Sequence, residues 1–498
     1  MRLSPFLVPA MALIALCVRA LPRPTYLGVT ADEAATTRLG LAAPFGDDLK
    51  GSSDAFLALQ AASLVREGFA ATGGIPLFNV DKSERADFAY YDHHPPGVAI
   101  VTALAFRLFG ASELVARGVA VLFATVTLAV AAGCVRRCCG DGPAIAAALG
   151  ATLPPMGWYW ATHLDYQVPT IAMAALFMER ALREAPARSD RWIAGLALVA
   201  ALAFDFLGVL ALLAVVVVRA GSLRSSWRAL AGWTALAGAT GIVLVLWKTL
   251  QGLRHGHAGG RLVDHVAAVW ALPPGVGPGR FLGASGAHLH DLAGGVALAA
   301  VAAALALAWS RRIPAELRRF LLAASLFAAL AGTLPRMRAF DHPYFQLDWQ
   351  LPVALACGLL AHRLSGGGAA AVPRARRIAV VATMALLLGF DGGRLELARM
   401  RLSAGSELLD RPASHRLGAE LAARVPASVR AIALPASSSF NDFVPSWYAG
   451  RVVRRLPAGQ ETRAGFEPTL AFLGLRGAEA WLALDPQWPG RGGFEPLR

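Results

Sequence analysis

Charged side chains are scarce in this sequence. They account for 16% of its 498 residues, whereas a soluble domain carries about 25%. Long apolar runs take their place, and two of them, at 114–135 and 292–309, have about the length of a membrane-spanning helix. This composition excludes an ordinary soluble globular protein and predicts a polytopic α-helical membrane protein.

Cysteine and the common catalytic motifs are also scarce. The sequence shows no recognisable Ser-His-Asp, Cys-nucleophile or Walker-type arrangement, which argues against acyl-enzyme chemistry and nucleotide hydrolysis. The cysteines lie in or beside apolar segments, at spacings that fit neither a zinc site nor a disulfide framework. We therefore interpret all five as packing residues: Cys17, Cys134, Cys138, Cys139 and Cys357.

Acidic residues are outnumbered by basic ones, 33 to 47, which gives a formal net charge of +14. The Lys and Arg residues lie in short clusters between the apolar segments. Short basic loops stay in the cytoplasm under the positive-inside rule. Because no basic and aromatic patch accompanies these clusters, the charge indicates membrane topology, and we expect no nucleic-acid partner.

The apolar segments predict about 11–13 transmembrane helices. They run from an uncleaved first helix at 6–21 to a last one at 378–390. Two stretches fit poorly with helices that cross the membrane in alternating directions. Between 97 and 135, one of the two segments is expected to enter the membrane without crossing it. The stretch 192–218 is long for one helix and short for two, with Asp205 in its middle.

The same pattern predicts two domains. Residues 1–390 form a transmembrane catalytic module with external loops at 22–95 and 251–290. Residues 391–498 alternate between an amphipathic helical pattern and short buried strands, which predicts a small extracytoplasmic α/β domain.

The most polar part of the sequence directly precedes an apolar helix, in "YYDHHPPGVAI" (90–100). Proline is tolerated in the first turn of a helix, so the double proline starts the helix and places Tyr91, His93 and His94 at its mouth. A helix N-terminus has unpaired donors that suit a phosphate or a carboxylate. The alternative is an interfacial anchor with its aromatic rings at headgroup level.

Acids and histidines recur at the ends of other apolar helices. Ionisable residues at the membrane edge are costly and usually functional, so these positions predict one shared site. Asp54 also has the simpler interpretation of a helix cap, and Asp165 could likewise cap the helix that follows it. The candidate positions are Asp54, Asp165, Asp205, Asp341, His342 and Tyr344.

A basic loop at 253–270 offers a candidate pocket for a lipid phosphate. Clustered cations and glycines suit such a pocket, although a solvated loop that touches anionic headgroups fits equally well. Two arginines before Asp341 could bind the same phosphate. The candidate residues are Arg254, His255, His257, Arg261, His265, Arg336 and Arg338.

Three stretches resemble a known family: "SSDAFLALQAASLVREGF", "YYDHHPPGVAIVTALAFRLFG" and "SELVARGVAVLFATVTL". They are similar to the first half of the GT-C glycosyltransferases, in the protein mannosyltransferase-like and lipid A aminoarabinose transferase-like branch. The resemblance covers roughly 52–183 and is weaker at "LAFDFLGVL" and "FDHPYFQLDWQLPVAL". It implies many transmembrane helices, a long first external loop and inverting transfer of a sugar from a polyprenyl-phosphate carrier.

The resemblance also implies roles for individual residues. Asp54 matches the acid of the first loop, the expected catalytic base, and Asp165 matches a second acid. His94 occupies a position that is basic or polar in the family. His93 departs from the pattern, because the lipid A enzyme has a metal-binding acid there. No cofactor is expected to be required, and a divalent metal at His93 and His265 remains open.

The resulting hypothesis is a multi-pass membrane enzyme of the bacterial inner or cell membrane, active on the extracytoplasmic side. Its expected partners are a polyprenyl-phosphate-linked sugar, membrane lipids and an acceptor that is a lipid, a glycan or a protein. The alternatives are a transporter or an assembly protein with an external cap domain. A transporter usually shows repeat symmetry, which we do not find here.

Overall fold

A computed structural model describes most of the chain. The expected helix at 6–21 lies outside the described residues, as does most of the first loop. The described residues are 49–77, 94–158, 162–220, 223–254, 270–308, 313–336, 343–366, 373–404, 414–434, 443–456, 464–465, 467, 480–483 and 494–496.

Helices account for nearly all of the structure before residue 425. The first group, which begins in the first loop, consists of α1 (Leu49–Glu67), α2 (Phe69–Thr72), α3 (Gly97–Phe109), α4 (Glu113–Cys139), α5 (Asp141–Thr152), α6 (Pro155–Trp158), α7 (Gln167–Ala181), α8 (Arg188–Phe204) and α9 (Val209–Val218). The second group consists of α10 (Leu223–Arg254), α11 (Pro278–Ala293), α12 (Gly295–Ala308), α13 (Ala315–Ala331), α14 (Gln350–Leu364), α15 (Arg374–Ala404) and α16 (Ser414–Arg424).

The helix boundaries follow local chemistry. Helix α4 begins where the Ser112 side chain accepts a hydrogen bond from the Val115 amide, and it ends at Gly140, whose φ is 90°. An N-terminal serine satisfies one of the otherwise unpaired amides, and a glycine tolerates the positive φ that ends the helix. The predicted apolar segment at 114–135 is therefore one continuous helix.

Three of the described helices are long and apolar enough to cross a membrane: Glu113–Cys139, Trp227–Gln251 and Ala375–Leu395. A fourth crossing results if α11 and α12, which meet at 104°, are counted as one broken span. Helix α3 has 13 residues and is therefore about 20 Å long, shorter than the roughly 30 Å apolar core of a bilayer. That one of the two segments between 97 and 135 enters the membrane without crossing it stays a prediction.

The stretch 192–218 is broken at Asp205. Helix α8 ends there, a short 3-10 helix spans Phe206–Gly208, and α9 follows. The Asp205 carboxylate accepts a hydrogen bond from the Leu207 amide and so caps the second piece. The acid in the middle of the apolar run marks the position of the break.

The described residues after α15 contain short helices and a four-stranded sheet, here called the C-terminal domain. After α16 come β1 (Ala431–Leu434), α17 (Phe443–Ala449), β2 (Val452–Arg455), β3 (Ala480–Ala483) and β4 (Phe494–Pro496). The strand order is β2-β1-β3-β4, with β1 parallel to both of its neighbours and β4 antiparallel to β3. Helix α15 runs past the expected boundary at 390 to Ala404.

The C-terminal domain packs against α1, α3 and the start of α4. The rings of Phe443 and Phe56 lie 4.6 Å apart, and those of Trp447 and Phe106 lie 6.1 Å apart. Tyr448 also donates a hydrogen bond of 2.6 Å to Glu113 at the start of α4. These contacts join the domain to the part of the chain that carries Asp54.

Close approach of two helices depends on Gly97. A Cβ built on this residue would lie 2.3 Å from the carbonyl oxygen of Ala203. The start of α3 therefore packs directly against the end of α8, which brings His94 close to the break at Asp205.

We predict that Gly97→Ala lowers the thermal stability of the protein, because the added methyl group forces α3 away from α8. The matched control is Gly118→Ala in α4, where a Cβ meets nothing within 4 Å. This control should be neutral, or should stabilise the protein by up to about 1 kcal/mol. Thermal unfolding of both purified variants checks the prediction, and equal melting temperatures would contradict it.

Candidate active site

Asp54 lies at the centre of a buried ion-pair cluster. Its carboxylate is 0% exposed and contacts the Nε of Arg117 at 3.1 Å and the Nδ1 of His163 at 2.8 Å. The backbone amide of Leu164 donates a third bond, of 2.6 Å, to the other carboxylate oxygen. The first-loop helix α1 is thereby joined to α4 and to the turn that precedes α7.

The alternative interpretation of Asp54 as a helix cap is wrong. Helix α1 begins at Leu49, five residues before Asp54, so Asp54 lies within the helix. Its carboxylate binds groups more than 60 residues away along the chain. The acid of the first loop therefore holds a tertiary contact.

The electrostatic balance at Asp54 favours the charged form. Burial alone acts to raise the pKa of the carboxyl group, but the His163 ring and then the Arg117 guanidinium outweigh it, so that the pKa lies below its ordinary value of 3.8. An opposite charge within hydrogen-bond distance favours an ionised carboxylate. Asp54 is therefore ionised at neutral pH.

A second cluster lies beside the first, around His94. The His94 ring stacks on the ring of Tyr166 with their centroids 4.1 Å apart. The Tyr166 hydroxyl donates a bond of 3.2 Å to the Oε1 of Gln60, which follows Asp54 by six residues in α1. The predicted helix-mouth histidine is thus linked to the helix that carries Asp54.

Asp205 faces this histidine across the break between α8 and α9. Its Oδ2 lies 3.7 Å from the Nδ1 of His94, and no described residue hydrogen-bonds that buried oxygen. A buried carboxylate oxygen without a hydrogen bond costs free energy. This oxygen is available to a ligand that offers a donor.

Asp165 and Asp348 complete a group of three carboxylates. The Oδ1 of Asp165 accepts a bond of 3.0 Å from the amide of Val168, so the capping role proposed for Asp165 exists in the structure. Asp348 is buried, and burial followed by the charges of Asp205 and Asp165 raises its pKa well above the ordinary value. Like charges held close together disfavour ionisation, so the two neighbouring carboxylates act in the same direction as burial on Asp348.

Lys248 supplies a buried cation to the same region. It is 5% exposed, and its Nζ donates a bond of 2.9 Å to the carbonyl oxygen of His94. The same Nζ lies 6.0 Å from the centroid of the Phe206 ring, directly after Asp205. A lysine ammonium has three donors, so this group is suited to an anionic ligand.

Most of the predicted phosphate-binding residues lie outside the described residues, and the pocket they were assigned to stays a prediction. The same holds for the divalent metal assigned to His93 and His265. Of Arg254 and Tyr344 the structure describes only the backbone, and Arg336 is exposed. The positions outside the description are Tyr91, His93, His255, His257, Arg261, His265, Arg338, Asp341 and His342.

Four residues of the site were missed by the sequence interpretation: Arg117, His163, Lys248 and Asp348. Arg117 and Lys248 interrupt segments that were taken as uniformly apolar, and an ionisable residue within such a segment is itself an indicator of function. His163 lies two residues before Asp165, and Asp348 seven residues after Asp341. Both therefore belong to motifs that the sequence had already marked.

A family model matches a part of the chain that carries several residues of the candidate site. Residues 93–247 match the family described as dolichyl-phosphate-mannose-protein mannosyltransferase. This span includes Arg117, His163 and Asp205, although Asp54 precedes it. No curated protein sequence matches the chain.

Solved structures share the fold over nearly the whole chain. ArnT from Cupriavidus metallidurans bound to undecaprenyl phosphate has a TM-score of 0.60 at 15% identity, covering 96% of this chain and 92% of ArnT. The apo state of ArnT gives 0.59 at 16% identity, with the same shares covered. The Archaeoglobus fulgidus oligosaccharyltransferase gives 0.57 at 12% identity, covering 97% of this chain and 69% of its own.

These matches confirm the predicted polytopic helical fold. The matched family model and the solved structures belong to the GT-C glycosyltransferases, and the chain has the polytopic helical fold of that superfamily. At 12–16% identity the likeness shows the fold alone. The chemistry of this chain is inferred from its own side chains.

We predict a pH dependence for the Asp54 cluster. Because the pKa of Asp54 is lower in the folded protein than its ordinary value of 3.8, ionised Asp54 stabilises the fold fully above that value and loses its contribution as the pH falls below it. The difference in unfolding free energy between the wild type and Asp54→Asn should therefore be largest near neutral pH and should shrink below about pH 4.

The matched control is Asp291→Asn in α11, because the Asp291 side chain is 71% exposed. Thermal unfolding from pH 3 to pH 7 should show wild-type behaviour in this control. A difference between the wild type and Asp54→Asn that stays constant over this range would contradict the prediction.

Proposed function

We propose that this chain is an integral-membrane glycosyltransferase that moves a sugar from a polyprenyl-phosphate carrier to an extracytoplasmic acceptor, with Asp54 at its catalytic centre. The observation that carries the proposal is the fully buried Asp54 carboxylate, held by Arg117 and His163 within a GT-C fold. The ArnT structure with bound undecaprenyl phosphate supports a polyprenyl-phosphate carrier. The sugar is a hexose or a pentose, and the acceptor is a lipid, a glycan or a protein.

The proposed reaction is a single displacement with inversion at the anomeric carbon. An acceptor hydroxyl oxygen forms a bond to that carbon while the bond from carbon to phosphate oxygen breaks. The electron pair of the broken bond leaves with the carrier phosphate, and the hydroxyl proton passes to Asp54. The products are the glycosylated acceptor and polyprenyl phosphate.

Asp54 suits the role of base because it is ionised at neutral pH. A carboxylate next to a lipid phosphate would be repelled by it. The Arg117 guanidinium offsets the carboxylate charge, and the His163 ring holds the same carboxylate oxygen. Because the carboxylate is fully buried, entry of the acceptor hydroxyl requires one of its present donors to move aside.

We assign Lys248 to the carrier phosphate. Its ammonium group is buried beside His94, and a buried cation is a strong partner for a phosphate because little water competes for it. The raised pKa of Asp348 suits the same region to an anion, because a carboxyl group that ionises less readily repels a phosphate less.

The proposed role of Asp54 predicts a specific pattern of activities. Asp54→Asn removes the proton acceptor and should lower turnover by about 10²–10⁴-fold. It also leaves Arg117 buried without its carboxylate, which costs about 3–5 kcal/mol of stability when a buried pair is broken in this way. The double variant Asp54→Asn with Arg117→Met removes the unpaired charge and should regain stability without regaining activity.

Sugar transfer from a labelled polyprenyl-phosphate donor and thermal unfolding, measured on the same samples, check this pattern. Arg117→Met alone is the control that keeps the acid, and it should retain more activity than either Asn variant. Recovery of activity in the double variant would assign Asp54 a structural role only and would remove it from the chemistry.

A separate prediction concerns Lys248. Lys248→Met should raise the apparent KM for the polyprenyl-phosphate donor more than it lowers kcat, because the lost interaction holds the donor before and during the reaction. Lys248→Arg keeps the charge and should retain part of the affinity. The control is Arg228→Met, an exposed position near the start of the same helix.

Steady-state kinetics over a range of donor concentrations separate the two parameters. If Lys248→Met leaves the donor KM unchanged, the assignment of this lysine to the phosphate is wrong. Asp54 would keep its proposed role in that case, since the two residues act on different bonds.

A further inference from the structure

Two cysteines and a glutamate meet far along α4 from the proposed active site. One potential ligand atom from each of Cys134, Cys138 and Glu316 lies within 4.8 Å of the other two. Among the described residues these are the only three His, Cys, Asp or Glu side chains that meet in this way. Cys134 follows Arg117 by 17 residues in α4, so the cluster lies near the opposite end of that helix.

The helix geometry explains how the two thiols come together. Cys134 and Cys138 are four residues apart in α4, and residues at that spacing lie on the same face of a helix, one turn apart. Glu316 lies in the first turn of α13, so the third ligand comes from a separate helix. The sequence spacing alone could not indicate this site, because the third ligand is almost 180 residues away.

We propose that Cys134, Cys138 and Glu316 form a binding site for a thiophilic divalent cation of the Zn²⁺ class. Two thiolates and one carboxylate are ligands that Zn²⁺ accepts, and a water molecule can complete a tetrahedral set. Bonds of about 2.0–2.3 Å to such an ion place the ligand atoms about 3.3–3.8 Å apart. Small side-chain rotations within the 4.8 Å limit are enough to close the site.

The surroundings of the cluster suit a cation with an overall negative ligand set. The thiols lie in the last turns of α4, where the helix end carries partial negative charge. Arg137 donates a bond of 2.8 Å to the Oε1 of Glu316 and also pairs with Glu179. Two thiolates and one carboxylate around a divalent ion leave one negative charge, and the Arg137 guanidinium is placed to offset it.

Access to the site is open on one side. Cys134 is buried, whereas Cys138 is only partly buried, and the Glu316 side chain is 23% exposed. An ion can therefore reach the ligands from solvent at this end of α4, and the two thiol protons leave as it binds. The expectation that these cysteines serve only as packing residues then no longer holds for this pair.

The bound ion would fasten α4 to α13. Helix α4 carries Arg117, and α13 leads towards the segment that carries Asp348. A crosslink at one end of both helices limits their relative sliding at the other. The proposal does not depend on sugar transfer, and its test needs no assay of that reaction.

The test uses the purified full-length protein, stripped with a chelator and then loaded with Co²⁺ as a spectroscopic probe. Thiolate coordination produces an intense thiolate-to-cobalt charge-transfer absorption in the near ultraviolet. We expect this band in the wild type with about one ion per chain, and its displacement by Zn²⁺. Zinc should also raise the melting temperature of the wild type, because an ion that binds only the folded state stabilises it.

Matched variants decide the assignment. Cys134→Ser with Cys138→Ser should lose the band, and Glu316→Gln should weaken Co²⁺ binding by about tenfold or more. Cys139→Ser is the control, because Cys139 adjoins the pair without belonging to the cluster, and it should keep the band. All variants are compared in chelator first, where equal melting temperatures show that the substitutions leave the fold intact.

Three outcomes would overturn the proposal: no band in the wild type, a band that survives in the double Ser variant, or equal loss of the band in Cys139→Ser. Survival in the double variant would place the ion elsewhere in the chain. If zinc gives the wild type and the double variant the same rise in melting temperature, the crosslink between α4 and α13 is also excluded.

Discussion

The structure of the candidate site depends on one interaction, the buried ion pair between Asp54 and Arg117. Helix α1 belongs to a loop region, and besides its apolar packing against α3 and α4 it makes a buried ionic contact with the rest of the fold. Asp54 provides this contact through Arg117, His163 and the amide of Leu164. Breaking such a pair leaves a buried charge, so the acid cannot be lost without consequence even before any chemistry is considered.

Much of the fold could be predicted because burial in a membrane restricts the sequence so strongly. The apolar segments became helices at nearly the expected positions, and the acid at 205 marked a real break. The strand at Ala431–Leu434 and the helix at Ser414–Arg424 were also expected from local periodicity. These features depend on neighbouring residues, so a single sequence contains what is needed to find them.

The pairing within the site could not be predicted in the same way. The sequence identified Asp54, but its partners lie 63 and 109 residues further along the chain, and nothing local joins them. Arg117 and Lys248 were also missed because their segments were interpreted as uniformly apolar. Burying a charge in such a segment costs free energy, and only tertiary contacts, which the sequence does not show, offset that cost. The sequence also could not group Cys134 and Cys138 with Glu316, because Glu316 lies in another helix and is distant in the sequence.

The hydrogen bond from Tyr448 to Glu113 connects the C-terminal domain to the candidate site. Glu113 and Arg117 are four residues apart in α4 and so lie one turn from each other on the same side. A displacement of the C-terminal domain therefore pulls on the turn that presents the guanidinium to Asp54. The C-terminal domain therefore supports this turn of α4. A chain shortened before this domain would lose the contact that helps to align Arg117 with Asp54.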